Sequence, residues 1–146
     1  MRVRPAGAGD FDVVTALLEE LGRARVTDET RVAARALYER HLGDDRAAHL
    51  VAEDEAGVIA FCSLHLRDRL NYPRPDAWIP DLIVTESARR RGAARALLEE
   101  AERIARERGC WQLTLESGHA RRLAHRLYAR HGMTDAGKYF TKLLSS

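Results

Sequence analysis

A chain of 146 residues, 45% apolar and 32% charged, has the size and balance of one soluble globular domain with a proper core. Its formal net charge of +2 argues against a nucleic-acid partner, which calls for clustered basic charge, and lysine occurs only at Lys138 and Lys142. Cys62 and Cys110 form no disulfide framework or metal-ligand spacing, MRVRPAGAGD lacks a signal peptide's apolar stretch, and no apolar run spans a membrane, so a cytoplasmic protein is expected.

Val3 opens a short strand that ends at Pro5, and Gly7 and Gly9 loosen the turn after it. Asp10 is placed to cap a helix with the apolar stripe Val13, Val14, Leu17, Leu18 and Leu21, and Gly22 stops it. Thr27 or Asp28 starts a second helix, carrying Val32, Ala36, Leu37 and His41 and ending near Gly43. HLVAEDEAGVIAFCSLHL holds two apolar runs around an acidic turn, which predicts a hairpin with strands near 48–53 and 57–66. Residues 67–76, with Pro73 and Pro75, form a loop. AWIPDLIV is a buried strand with a bulge expected at Pro80. The helix over 91–108 buries Leu97, Leu98, Ala101, Ile104 and Ala105, pairs Glu99 with Arg103 and Glu102 with Arg106 on its other face, and is closed by Gly109. WQLTLES alternates as a strand, HARRLAHRLYARHG is a helix ending at Gly132, and KYFTKLL is a last strand. The order is β-α-α-β-β-β-α-β-α-β in one domain over 1–146, with no repeat or linker.

RRRGAARALL, residues 89–98, joins an arginine run to small residues at the mouth of the third helix. The first N–H groups of a helix have no intrahelical acceptor and lie at the positive end of the helix dipole. Gly92, Ala93 and Ala94 would leave that backbone open to a phosphate, and the arginines would add charge. Neither GxxxxGK[ST] nor GxGxxG is present, so the local pattern alone also fits an ordinary helix start.

The chain resembles the GNAT superfamily of acetyl-CoA-dependent N-acetyltransferases. Arg89, Gly92 and Ala94 match its R/Q-x-x-G-x-G/A signature after the strand DLIV, and LTLESGHARRLAHRLYARHGMTDAGKYFTKLL is similar to its C-terminal strand, helix and strand, with the A-H-x-x-Y motif ending at Tyr128. Within the superfamily it looks most like the small aminoalkylphosphonate-type enzymes. The resemblance covers essentially the whole chain and implies an α/β fold with a central mixed, mostly antiparallel twisted sheet flanked by helices. It further implies that backbone amides at Arg90, Gly92, Ala93, Ala94 and Arg95 hold the coenzyme A pyrophosphate, behind Arg89. Leu82, Ile83 and Val84 would pair with the pantetheine arm, in a slot made by two neighbouring strands splaying at the bulge. Ala94 stands where many members have glycine.

The implied reaction is direct attack of a neutral amine on the acetyl thioester. The resemblance assigns the oxyanion donor to a backbone N–H near Leu82 or Ile83 and makes Tyr128 the acid, since a phenol stays protonated at neutral pH. The alternative for Tyr128 is a core residue on the helix stripe. For the base, Asp81 stands before the coenzyme strand, where the aminoalkylphosphonate type also has a carboxylate; His65, three residues before Asp68, is a second candidate, and each reads equally well as structural. His125 orients or caps rather than titrates, and Ser117 is a turn residue or a coenzyme contact in place of the usual asparagine. The six histidines show no ligand spacing, so no metal is expected. Arg67, Arg69 and Arg74 either meet an anionic acceptor or face solvent.

The expected partner is a small-molecule amine, with neither nucleic acid nor membrane. A protein amine, a catalytically silent acetyl-CoA sensor and an arginine-based nucleic-acid module are the competing readings. Members of the superfamily often dimerise through C-terminal strands, and KYFTKLLSS leaves a homodimer open.

Overall fold

The computed structural model describes residues 1–116 and 122–144. They divide into two units, Met1–Leu115 and Glu116–Ser146.

The first unit is a six-stranded sheet with helices on both faces. In chain order it holds β1 (Arg2–Pro5), α1 (Phe11–Leu21), α2 (Arg31–Leu42), β2 (Ala47–Asp54), β3 (Gly57–Arg67), β4 (Asp76–Ile79), β5 (Leu82–Val84), α3 (Ala93–Glu107) and β6 (Leu113–Leu115). The order across the sheet is β1-β2-β3-β4-β6, with β5 also paired to β3. All pairs are antiparallel except β4 with β6. The mixed, mostly antiparallel sheet is the expected one.

Two cores follow from the alternation of side chains along the strands. Phe11, Val14 and Leu17 of α1 and Tyr38 of α2 pack with Val51, Phe61 and Ile83 on one face. Leu97, Leu98, Ala101 and Ala105 of α3 are buried, and α3 lies against β1, β2, β3 and β5. Alternation from Phe61 and Val51 also puts His49, Ser63 and His65 on the face of α1 and α2.

Several expectations are corrected. Asp10 does not cap α1 through its side chain; the carboxylate turns back to the Gly7 N–H (2.7 Å) and to Arg4 (2.8 Å). α2 begins at Arg31, after a turn in which the Thr27 carbonyl accepts from the Thr30 and Arg31 N–H groups. Its inward residue is Tyr38, while Val32 and Leu37 are exposed. The Tyr38 ring meets Phe11 edge-on at 5.4 Å and its hydroxyl donates to the Gly7 carbonyl at 2.6 Å, contacts that orient the helix. On α3, Glu102 pairs with Arg106 as expected, but Arg103 pairs with Glu100 and Glu107, and Glu99 takes Arg95.

AWIPDLIV is two strands, β4 and β5, flanking Pro80 and Asp81. Residues 138–144, expected as the last strand, form no strand. An alternating segment becomes a strand only through a hydrogen-bonded neighbour, and no ladder among the described residues includes these positions. The second unit contains α4 (Arg122–Arg130), closed by Gly132 at φ 84°. The Gly132 N–H donates to the Ala129 carbonyl and the Met133 N–H to the Tyr128 carbonyl, the paired bonds of a Schellman end.

Candidate active site

The bulge at Pro80 organises the site. β3 pairs Cys62 with Leu82 in β5 but His65 with Trp78 in β4, so Ser63 and Leu64 face three residues, Ile79, Pro80 and Asp81. Proline has no N–H to give a ladder, which makes this the natural place for the extra residue. β4 goes on to pair with β6, whereas β5 pairs with β3 alone among the described residues. No strand among the described residues pairs with the outer edge of β5.

The phase of the ladder says which groups that edge presents. The Thr85 N–H donates to the Ile59 carbonyl at 2.8 Å and the Ser63 N–H to the Asp81 carbonyl at 3.0 Å. In an antiparallel pair, bonded and non-bonded positions alternate, so Ile83 faces Phe61 as a bonded pair while Leu82 and Val84 direct their N–H and C=O groups outward. The Val84 carbonyl accepts Arg89 Nε at 3.2 Å. Among the described residues, no hydrogen bond takes up the Leu82 N–H and C=O or the Val84 N–H. Of the three strand residues named from the sequence, Ile83 serves the core instead, where it is 2% exposed.

Past β5, the 3-10 turn Glu86–Ala88 leads to Arg89, Arg90, Arg91 and Gly92. Arg90 has φ 67° and Gly92 φ 86°, left-handed conformations that for Arg90 cost about 1 kcal/mol. No side chain caps α3, and the Ala96 N–H is bonded to the Gly92 carbonyl at 3.0 Å. The N–H groups of Ala93, Ala94 and Arg95 precede that first helical bond and have no acceptor within the helix. A Cβ built on Gly92 would meet nothing within 4 Å among the described residues. This backbone, with Arg89 and Arg90 before it, fits a pyrophosphate. Arg91 turns to Asp54 at 3.5 Å and Arg95 to Glu99 at 3.0 Å, so those two side chains are engaged elsewhere.

Asp81 sits inside the bulge on the face of α1 and α2. Arg23 Nε donates to Oδ1 at 2.8 Å and the Ser63 hydroxyl to Oδ2 at 3.2 Å. Each carboxylate oxygen keeps further acceptor capacity, and the side chain is 19% exposed. Neither Arg23 nor Ser63 was found from the sequence as a partner; the period-two alternation from Phe61 through Ser63 was the available signal. His65 is not paired with Asp68, which binds Arg46 at 3.0 Å. Arg67 spans Asp76 with two hydrogen bonds of 3.1 and 3.0 Å, donates to Thr114, and stacks over Trp78, so it is occupied.

His65 belongs to a cluster with His41 and His49. Ring centroids lie 4.9 to 5.9 Å apart, and His41 Nδ1 is 3.2 Å from His49 Nε2. Burial, then the neighbouring His41 and His65, pushes His49 down to about 4; burial and His41 likewise lower His65. Both shifts favour the neutral ring near pH 7. An unfolded chain binds protons at these positions below about pH 6.5, when the folded chain does not. The contribution to stability is therefore complete above pH 6.5 and is lost as pH falls toward 4. His49→Phe should remove part of this loss, on the order of 2 kcal/mol, in urea midpoints compared at pH 7 and pH 4.5.

Tyr128 lies on α4 in the second unit and is 9% exposed. His125 is on the same helix, while Ser117 lies outside the described residues. Among the described residues no group of three or more His, Cys, Asp or Glu is arranged to hold a metal ion, and no helix is long and apolar enough to cross a membrane.

A family model described as Acetyltransferase (GNAT) family matches residues 14–133. An aminoalkylphosphonate N-acetyltransferase of Salmonella typhimurium is 30% identical over 142 residues, which cover 97% of this chain and 90% of that protein. Among solved structures, a transcriptional regulator from Bacillus halodurans has a TM-score of 0.88 at 21% identity, covering 98% of this chain and 99% of that one. The aminoglycoside N-acetyltransferase AAC(6')-Iy, solved in complex with CoA, has a TM-score of 0.79 at 17% identity, covering 99% and 100%. The two structural likenesses show a shared fold.

Proposed function

This chain belongs to the GNAT family and is an acetyl-CoA-dependent acetyltransferase, and from that premise we propose that its acceptor is the primary amine of a small molecule, acetylated by direct attack. The observation that carries the coenzyme half of the reading is the juxtaposition, one loop apart, of the uncapped start of α3 and the outer edge of β5, which pairs with no strand among the described residues.

Bound acetyl-CoA supplies the activated acyl group as a thioester. The N–H groups of Ala93, Ala94 and Arg95 hold the pyrophosphate, with charge from Arg89 and Arg90. The Leu82 and Val84 edge pairs with the amides of the pantetheine arm, and the Leu82 N–H is the fixed donor for charge developing on the acyl oxygen. Free alkylamines are mostly protonated at pH 7, so the incoming amine must lose a proton; Asp81 accepts it directly or through a water, with Arg23 and Ser63 holding the carboxylate in place. By the family resemblance, Tyr128 Oη is assigned the proton that neutralises the departing thiolate. The small-molecule class is supported by the substrate in the name of the Salmonella relative, and the cofactor by the CoA with which the aminoglycoside enzyme was solved.

Thiol release from acetyl-CoA against a panel of aminoalkylphosphonates, aminoglycosides, polyamines, amino acids and peptides tests the proposal. Turnover with a small amine is the expected outcome. Coenzyme binding without turnover on any amine would make the protein a sensor, and turnover confined to peptides would make it a protein acetyltransferase.

A further inference from the structure

One helix end fastens both ends of β5. Glu20, in the last turn of α1, accepts the Glu86 N–H at 2.9 Å on Oε1 and the Thr85 hydroxyl at 3.0 Å on Oε2. Its Oε1 also lies 3.9 Å from Arg89 Nη2. Three residues later, past left-handed Gly22, Arg23 grips the other end of the strand, with Nε on Asp81 and Nη2 on the Pro80 carbonyl at 2.9 Å. The reversal is a Schellman turn, with the Arg23 N–H on the Leu18 carbonyl and the Gly22 N–H on the Glu19 carbonyl.

β5 needs such external support. It is three residues long and pairs on one side only among the described residues, so its own ladder anchors it weakly. Glu20 does not touch the strand itself. It holds the turn that aims the chain into α3, and it draws in Arg89, whose Nε is already bonded to the Val84 carbonyl. Glu20, Arg89 and the end of β5 thus make one closed polar connection, in which Arg89 Nη1 takes no hydrogen bond among the described residues.

We propose that Glu20 is a positioning residue for the coenzyme. It acts through Thr85, Glu86 and Arg89 to set the loop at which the pyrophosphate is received. The proposal rests on the assignment of that loop and the start of α3 to the pyrophosphate. Glu20, which contacts Thr85, Glu86 and Arg89 but not Leu82–Val84, therefore affects the phosphate-bearing half of the ligand more than the pantetheine half.

Calorimetric titration of the full chain with acetyl-CoA and with S-acetylpantetheine, which lacks the pyrophosphate, separates the two halves. Glu20→Ala should weaken acetyl-CoA about fivefold to tenfold and leave S-acetylpantetheine within about twofold. Glu20→Gln, which keeps an acceptor for the Glu86 N–H, should recover most of the loss. Thr85→Val, which removes one of the two bonds, should show a smaller loss of the same selectivity, and it carries the test should Glu20→Ala not fold. An equal loss for both ligands, or no loss, overturns the role of Glu20. A wild-type protein that binds acetyl-CoA no more tightly than S-acetylpantetheine overturns the pyrophosphate assignment, and the role of Glu20 with it.

Discussion

Tyr128→Phe should lower turnover about 10²-fold while leaving the acetyl-CoA dissociation constant within about twofold. The change removes one oxygen from a nearly buried ring and keeps the ring in place. If the hydroxyl only filled space on α4, stability would shift and turnover would not. If it holds the proton for the thiolate, the loss falls on the chemical step. Single-turnover thiol release, with binding measured separately, tells the two apart. Unchanged turnover would remove Tyr128 from the mechanism.

Gly92→Ala should weaken acetyl-CoA at least about tenfold while costing the free protein only about 1 kcal/mol. The stability cost comes from φ 86°, a conformation that a residue with a Cβ tolerates poorly. Packing adds nothing to that cost, because a Cβ at this position has no protein atom within 4 Å. The methyl group is added at the residue that opens α3, beside the uncapped N–H groups to which the pyrophosphate is assigned. Urea denaturation gives the first quantity and calorimetry the second. A change in affinity no larger than the change in stability would place the phosphates elsewhere.

The elements most legible in the sequence are those whose cause is local. Gly22 ends α1 in a left-handed turn as its position after Leu21 foretells, and the alternating runs around EDEAG pair as a hairpin. The apolar stripe of α3 is deep enough to choose its own buried face, and Gly92 opens that helix because glycine alone adopts the required turn without strain. By contrast, the apolar residues of α2 are spread around the helix rather than gathered in one stripe, so its inward face is settled by what Tyr38 can reach. The expected stripe through Val32 and Leu37 faces solvent for that reason. KYFTKLL shows the opposite limit, a good alternating pattern that joins no ladder among the described residues.

The candidate site divides along the same line. Sequence by itself determined the small-residue mouth of α3 and the irregularity at Pro80, and the resemblance carried by Arg89, Gly92, Ala94 and the C-terminal motif pointed to the family and to the candidate residues Asp81 and Tyr128. Only the tertiary structure decided that Leu82 and Val84, and not Ile83, present the open edge, because the direction of a backbone N–H depends on the register against β3. It also decided that Asp81 is held by Arg23 and Ser63, and that Glu20 fastens the loop after β5. Arg23 and Asp81 are 58 positions apart, and Glu20 and Glu86 are 66. Turns and helix ends follow from conformational preferences within a few residues, whereas these contacts exist only once the chain has brought α1 onto the sheet.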